Sequence, residues 1–140
     1  MSRRTIAIAA ALSVLALGSP LNVVRANPSF DQYVRQGVEN YNSGNYRGAL
    51  SAYTKAIEIE PQIADLYNYR GDAKRNLQDY QGSISDYTKA IQINPQDAIA
   101  YRNRGIERER LNDLKGACLD WRKAADLGKE KAAEWVKNQC

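Results

Sequence analysis

Residues 51–61 read SAYTKAIEIEP, and residues 85–95 read SDYTKAIQINP. The two stretches lie 34 positions apart, and offsetting the whole chain by 34 extends the match in both directions. Tyr33, Tyr67 and Tyr101 align, as do Gly37, Gly71 and Gly105. Tyr46, Tyr80 and Leu114 form a third set, and the small residues Ala49, Ser83 and Ala117 a fourth. Tyr53, Tyr87 and Trp121 are aromatic throughout, and Ala56, Ala90 and Ala124 are identical. Pro61 and Pro95 close the first two units, and Lys129 takes that place in the third. Three units follow, at 30–63, 64–97 and 98–131.

Each unit reads as two helices. Tyr33, Gly37 and Tyr41 recur at four-residue steps, which places them on one helical face. Ser29 with Gln32 fits a capping box at the start of that helix. Asn42 to Asn45 breaks the pattern. A second helix then carries Ala49, Leu50, Tyr53, Ala56 and Ile57, until Pro61 stops it by lacking an amide donor and disfavouring helix in the residue before it. Glycine and alanine stand where two helices come closest, and aromatic rings fill the space beside them. One such pair cannot bury its own apolar face, so units must stack, and about three are the usual minimum. The tyrosines at 33, 67 and 101 follow the repeat period and are expected in the core.

The sequence resembles the tetratricopeptide repeat family. The family motif has an aromatic at position 4 of a 34-residue unit, Gly at 8, a small residue at 20, an aromatic at 24, Ala at 27 and Pro at 32. The first unit matches with Tyr33, Gly37, Ala49, Tyr53, Ala56 and Pro61; the second with Tyr67, Gly71, Ser83, Tyr87, Ala90 and Pro95. The third has Tyr101, Gly105, Ala117, Trp121 and Ala124 and lacks only the proline. The resemblance implies an all-α fold, an α-solenoid of three antiparallel helix pairs in a right-handed superhelix. The chain departs from the family at positions 7 and 11, usually Leu and Tyr. Here they are Gln36, Arg70 and Arg104, and Asn40, Lys74 and Arg108. These residues predict looser packing of the first helices, or coverage by aliphatic arginine stems.

Gly128, after Leu127, reads as a helix C-cap, and residues 129–140 form a last helix. Ala132, Trp135 and Val136 face inward, with Ala133 at the margin, as a solenoid needs to hide its final apolar surface. Cys118 lies ten residues before Gly128 and Cys140 twelve after it, at matched heights on antiparallel helices. In an exported protein that arrangement favours an intramolecular disulfide. The alternatives are a free buried Cys118 or a bridge from Cys140 to another chain. No CxxC spacing supports a redox-active pair.

Export is read from the first 26 residues. Arg3 and Arg4 precede an apolar run, Thr5–Leu17, and Val24-Arg25-Ala26 supplies a cleavage site before Asn27. Thirteen apolar residues make about 20 Å of helix against the roughly 30 Å of a hydrocarbon core, so the run suits a cleaved signal rather than an anchor. Sec and twin-arginine export both remain open. A short linker, 27–29, would join this signal to the repeats. The expected location is a bacterial periplasm, the extracellular space or a thylakoid-type lumen, with no membrane association after cleavage.

The 140 residues carry 20 basic and 16 acidic side chains. Three of the basic residues are in the signal, so the body is close to neutral and offers no basic face for nucleic acid. The chain has no histidine, which removes Ser-His-Asp and Cys-His catalysis and histidine-bound metals. No cofactor, metal or catalytic set is implied.

What the family resemblance implies is a concave groove, lined by the first helix of each pair, that takes a protein or peptide partner. The groove positions are Val34, Val38 and Tyr41; Asn68, Asp72 and Arg75; and Arg102, Ile106 and Glu109. Asn68, Arg75 and Arg102 are candidates to hydrogen-bond an extended backbone or an acidic side chain. Family members that grip a C-terminal carboxylate use Lys and Asn in the first unit and basic residues in the third. Here Val34, Val38, Ile99 and Asn103 occupy those positions, so chaperone-tail binding is disfavoured. The charge run from Arg104 to Arg110 reads as a solvated helix face. The leading expectation is an exported, non-catalytic scaffold, with assembly of an envelope or lumenal complex as its expected task. The others are a self-associating module and, last, an enzyme pairing Asp72 with Asp65 or Glu109.

Overall fold

The computed structural model of the protein describes residues 28–140, so the expected signal peptide lies outside the described residues. Seven helices follow in order: α1 (Pro28–Asn42), α2 (Tyr46–Ile59), α3 (Ala64–Asn76), α4 (Tyr80–Ile93), α5 (Ala98–Arg110), α6 (Leu114–Asp126) and α7 (Glu130–Gln139). Each packs chiefly on its neighbours in sequence. Three-residue connections force α1–α2, α3–α4 and α5–α6 into antiparallel pairs. The pairs stack in a row and α7 closes the end, which is the α-solenoid that the repeat predicts.

The helix ends have local causes. Pro28 opens α1, where a missing amide costs no hydrogen bond. The expected linker is therefore helical from residue 28, and Ser29 lies inside the first turn rather than at the capping position. Asn45, Asp79 and Asp113 cap α2, α4 and α6 by accepting the amides of Gly48, Gly82 and Gly116. Glu60 and Asn94 end α2 and α4 in extended conformation, as residues before proline favour. The turns within the three pairs need a left-handed residue, supplied by Gly44, Gln78 and Asn112 at φ of 78°, 63° and 64°.

Within each pair a glycine faces a ring. A Cβ added to Gly37 would lie 2.3 Å from the Tyr53 ring, one on Gly71 2.8 Å from Tyr87, and one on Gly105 2.5 Å from the Trp121 indole. Ala49, Ala56, Ala90, Ala117 and Ala124 are fully buried around these contacts. Tyr67 is buried with them, and Tyr33 and Tyr101 pack partly buried against the core.

The departures from the family motif have a different cause from the expected loose packing. Position 23 of the second and third units holds a buried acid, Asp86 or Asp120, where the first unit has Ala52. Arg70 donates to Asp86 through Nε at 2.9 Å and Nη2 at 2.7 Å, and Lys74 adds a third contact at 2.9 Å. Arg104 grips Asp120 at 2.9 and 2.7 Å, with Arg108 at 2.9 Å. The third guanidinium nitrogen reaches back to the preceding unit, from Arg70 to Thr54 at 3.4 Å and from Arg104 to Thr88 at 3.1 Å. Each guanidinium also lies over its unit's own tyrosine, 5.5 Å from Tyr67 and 5.7 Å from Tyr101. The run from Arg104 to Arg110 is therefore not a solvated face. Arg104 and Arg108 serve Asp120, Glu107 is fully buried, and only Glu109 and Arg110 are exposed.

At the C-terminal end Gly128 turns the chain at φ 92°. Ala132 is fully buried and the Trp135 ring sits 5.3 Å from Trp121, while Ala133 is exposed rather than marginal. Cys118 and Cys140 form a disulfide with Cα atoms 5.8 Å apart. A loop of this length contributes about 3 kcal/mol by restricting the unfolded chain.

Two stability measurements test this packing. Gly71→Ala gains about 1 kcal/mol of helix propensity but drives a methyl into a ring that has no free space, at a cost of about 1–3 kcal/mol. Urea denaturation should show a net loss, and unchanged stability would mean the contact is not tight. Asp86→Ala should lose about 2–3 kcal/mol by leaving Arg70 and Lys74 against an apolar site. The double variant Asp86→Ala/Arg70→Leu should recover much of that loss, because it removes the guanidinium that the single variant leaves without its acid.

Candidate functional site

The concave face is built by α1, α3 and α5. The structure divides the expected groove residues into those facing outward and those engaged by the fold. Val38 is 41% exposed, and Glu109 is exposed. Val34 is half-buried and packs on the core beside Tyr41. Ile106 is half-buried on α5.

The fold engages the amide nitrogen of Asn68, whereas its Oδ1 has no hydrogen-bond partner among the described residues. The residue is buried, and its amide donates to Asp97 Oδ2 at 2.6 Å. Asp97 in turn caps α5 by accepting the amides of Ile99 and Ala100. Arg102 donates from Nε and Nη2 to Asn103 Oδ1 at 3.1 and 3.0 Å. Asn103 is itself buried and donates to Asp72 Oδ1 at 3.3 Å. Asp72 Oδ1 also accepts from the Tyr87 hydroxyl at 2.7 Å and pairs with Arg75 at 3.1 Å. One carboxylate oxygen thus joins α3, α4 and α5.

Beneath this network lies Glu107, fully buried, with no hydrogen bond to either oxygen among the described residues. Its charge is met at longer range by Arg110 at 3.4 Å and Arg75 at 3.9 Å. Burial pushes its pKa above the ordinary carboxylate value, and the two arginines hold it back. Burial also raises the Tyr53 phenol to about 12, helped by Tyr69, Tyr41 and Asp72 nearby. It drives the Tyr87 phenol still further up, with Asp72 next.

Between the first two pairs the groove opens into a hollow of about 300 Å³ lined by Val38, Tyr41, Asn42, Tyr53, Tyr69 and Asp72. Tyr69 is 43% exposed and its ring lies 5.6 Å from that of Tyr53. The Tyr41 hydroxyl accepts from Asn76 Nδ2 at 3.1 Å. Sequence reasoning placed Val38, Tyr41 and Asp72 here but missed Tyr69, because position 6 holds Arg35, Tyr69 and Asn103 and carries no repeat signal. The buried acids left a visible signal. Asp86 and Asp120 occur only in the units that have basic residues at positions 7 and 11.

Comparison with known proteins agrees with the geometry. A family model described as "Tetratricopeptide repeat" matches residues 33–63, and one described as "TPR repeat" matches 71–106. The TPR domain of Arabidopsis OM64 superposes with a TM-score of 0.75 at 29% identity, covering 79% of this chain and 93% of that one. The second TPR domain of human RPAP3, solved with the HSP70 peptide SGPTIEEVD, gives 0.73 at 25% identity, covering 78% and 92%. Yeast Sti1 TPR2B, solved with an Hsp70 peptide, shares the fold with a TM-score of 0.71 at 22% identity, covering 79% and 92%. Among curated proteins no match was found.

The raised phenols generate a test at alkaline pH. Tyr53 is favoured in its neutral form by folding, so its contribution is fully present below the unfolded value of 10.0 and is lost as pH rises toward 12. Tyr87 acts in the same direction. The urea midpoint should hold up to about pH 9.5 and fall steeply above pH 10. Tyr53→Phe should make that fall shallower, and an equally steep fall in the variant would show that Tyr53 does not drive it.

Proposed function

Because the chain is a tetratricopeptide-repeat protein, we propose that it is a non-catalytic adaptor that holds an extended segment of another protein in its concave groove. One observation carries this reading. The hollow at the junction of the first two pairs presents Val38 and Tyr69, each more than two-fifths exposed, on a face where most other polar groups are engaged by the fold. Exposed apolar and aromatic side chains gathered in a concavity are the usual makings of a peptide site.

Similar domains from RPAP3 and Sti1 were solved with chaperone-tail peptides, which supports a peptide in the groove. It does not carry that ligand across. Val34, Val38, Ile99 and Asn103 replace the residues with which such relatives grip a terminal carboxylate, and Asn103 is buried against Asp72. The signal-like first 26 residues support an exported compartment, and the disulfide fits an oxidising one. Within that compartment its task is assembly of an envelope or lumenal complex.

Photo-crosslinking tests the groove. A photoreactive residue at Val38 or Tyr69 should capture a discrete partner in the producing cell. The same residue at Ser51, exposed on α2, should not. Asn68 would be a poor site, since replacing it removes the Asp97 contact. Equal capture from both faces, or capture only of the chain itself, would reject the groove reading.

A further inference from the structure

We propose that the hollow between the first two helix pairs is a receptor for a cationic side chain, a lysine or arginine of the partner segment. The inference rests on the groove reading above and deepens it by naming what the groove selects.

Three tyrosines line the hollow, and aromatic faces attract cations through their quadrupole. Asp72 is its single charged lining residue. The hydrogen bonds and ion pair of the Asp72 side chain run through Oδ1, to Tyr87, Asn103 and Arg75. Oδ2 has no partner among the described residues. The Asp72 side chain is 24% exposed, so water reaches it in the empty groove.

The identity of the occupant follows from what happens when that water leaves. An apolar side chain filling the hollow would cover an acceptor of a charged group and give nothing in return, which costs free energy. A lysine ammonium or arginine guanidinium meets Oδ2 and lays its aliphatic stem on Val38 and Tyr69. Arg75 is the one cation that touches Asp72, and it also lies 3.9 Å from the buried Glu107. Arg75 is thus shared between two carboxylates, and Arg110, which also pairs with Glu107, is more than half exposed. Asp72 Oδ2 is the acceptor left open to an incoming cation.

The wider face has matching polarity. Asp31 and Asp65 begin the two helices that flank the hollow, whereas Arg102, Lys129 and Lys131, with Glu130 among them, surround a second hollow of about 240 Å³ at the far end of the row. A segment whose basic residue sits in the tyrosine hollow would find Arg75 already paired with Asp72 and the densest cluster of cations at that far end.

Selection of short random peptides on the purified protein tests the proposal. Binders should share a lysine or arginine, and replacing it with uncharged norleucine should weaken binding about tenfold, or about 1.4 kcal/mol. That penalty should shrink in the Asp72→Asn protein, because the residue and the carboxylate act as a pair. Tyr69→Leu, at an exposed position that leaves the core intact, should weaken the same peptides by a factor of about 3–10. If binders depend on Tyr69 but tolerate norleucine in the wild-type protein, the cation receptor is overturned and the peptide groove stands. If no binder responds to Tyr69→Leu, both fail.

Discussion

The contact between a glycine on one helix and an aromatic ring on its partner sets everything else in this structure. With no Cβ at Gly37, Gly71 and Gly105, the paired helices approach until ring and backbone touch. The ring is then fully enclosed, as for Tyr87 and Trp121. Enclosure fixes where its polar atom can go, and the Tyr87 hydroxyl can reach only Asp72 on the facing helix. The same contact that spaces the helices therefore also positions the carboxylate that faces the groove. Stability and the candidate site share one geometric origin.

Stacking of one pair on the next is keyed by polar groups as well as by apolar area. Arg70 and Arg104 each bind an acid in their own unit and touch a threonine in the one before. A buried ion pair of this kind is weak evidence of added stability, since apolar residues of similar volume pack at least as well. The link to register is the threonine: a unit slipped against its neighbour would break the Arg70–Thr54 and Arg104–Thr88 contacts, while each ion pair, lying within one unit, would move with it.

The fold was legible in the sequence because its causes are periodic. Gly37, Gly71 and Gly105 recur at 34, and so do the rings they face, so one alignment recovers both partners of each contact. The capping helix and the pairing of Cys118 with Cys140 were legible from spacing alone. The groove was less so, because its chemistry is not periodic. Asn68 looks like an exposed groove residue until Asp97, 29 positions away, is seen to take its amide. Glu107 sits in a run of alternating charges that reads as surface, yet the equivalent position in the second unit is the fully buried Ala73. The first unit has Glu39 there, exposed, so the repeat offers two different answers at this position and does not overrule the local charge pattern. Tyr69 had no equivalent to be compared with.

Bracing along the row is uneven, and this bears on where a partner can bind. At the C-terminal end the disulfide and the Trp121–Trp135 contact tie α7 to α6. At the junction of the second and third pairs, Asn68–Asp97, Asn103–Asp72, Arg104–Thr88 and Arg75–Glu107 all cross. Across the first junction the polar ties are the long Arg70–Thr54 contact and the approach of Asn76 and Arg75 to the Tyr41 hydroxyl, among the described residues. The first unit, with Ala52 in place of the acid, has no ion pair of the Arg70–Asp86 type. A side chain held by the fold is not free to hold a ligand, and one held by nothing is not preorganised for it. The tyrosine hollow lies at the first junction, where packing fixes the rings while few polar atoms are engaged. Of the three junctions it is the one where the surface is both shaped and chemically unspent.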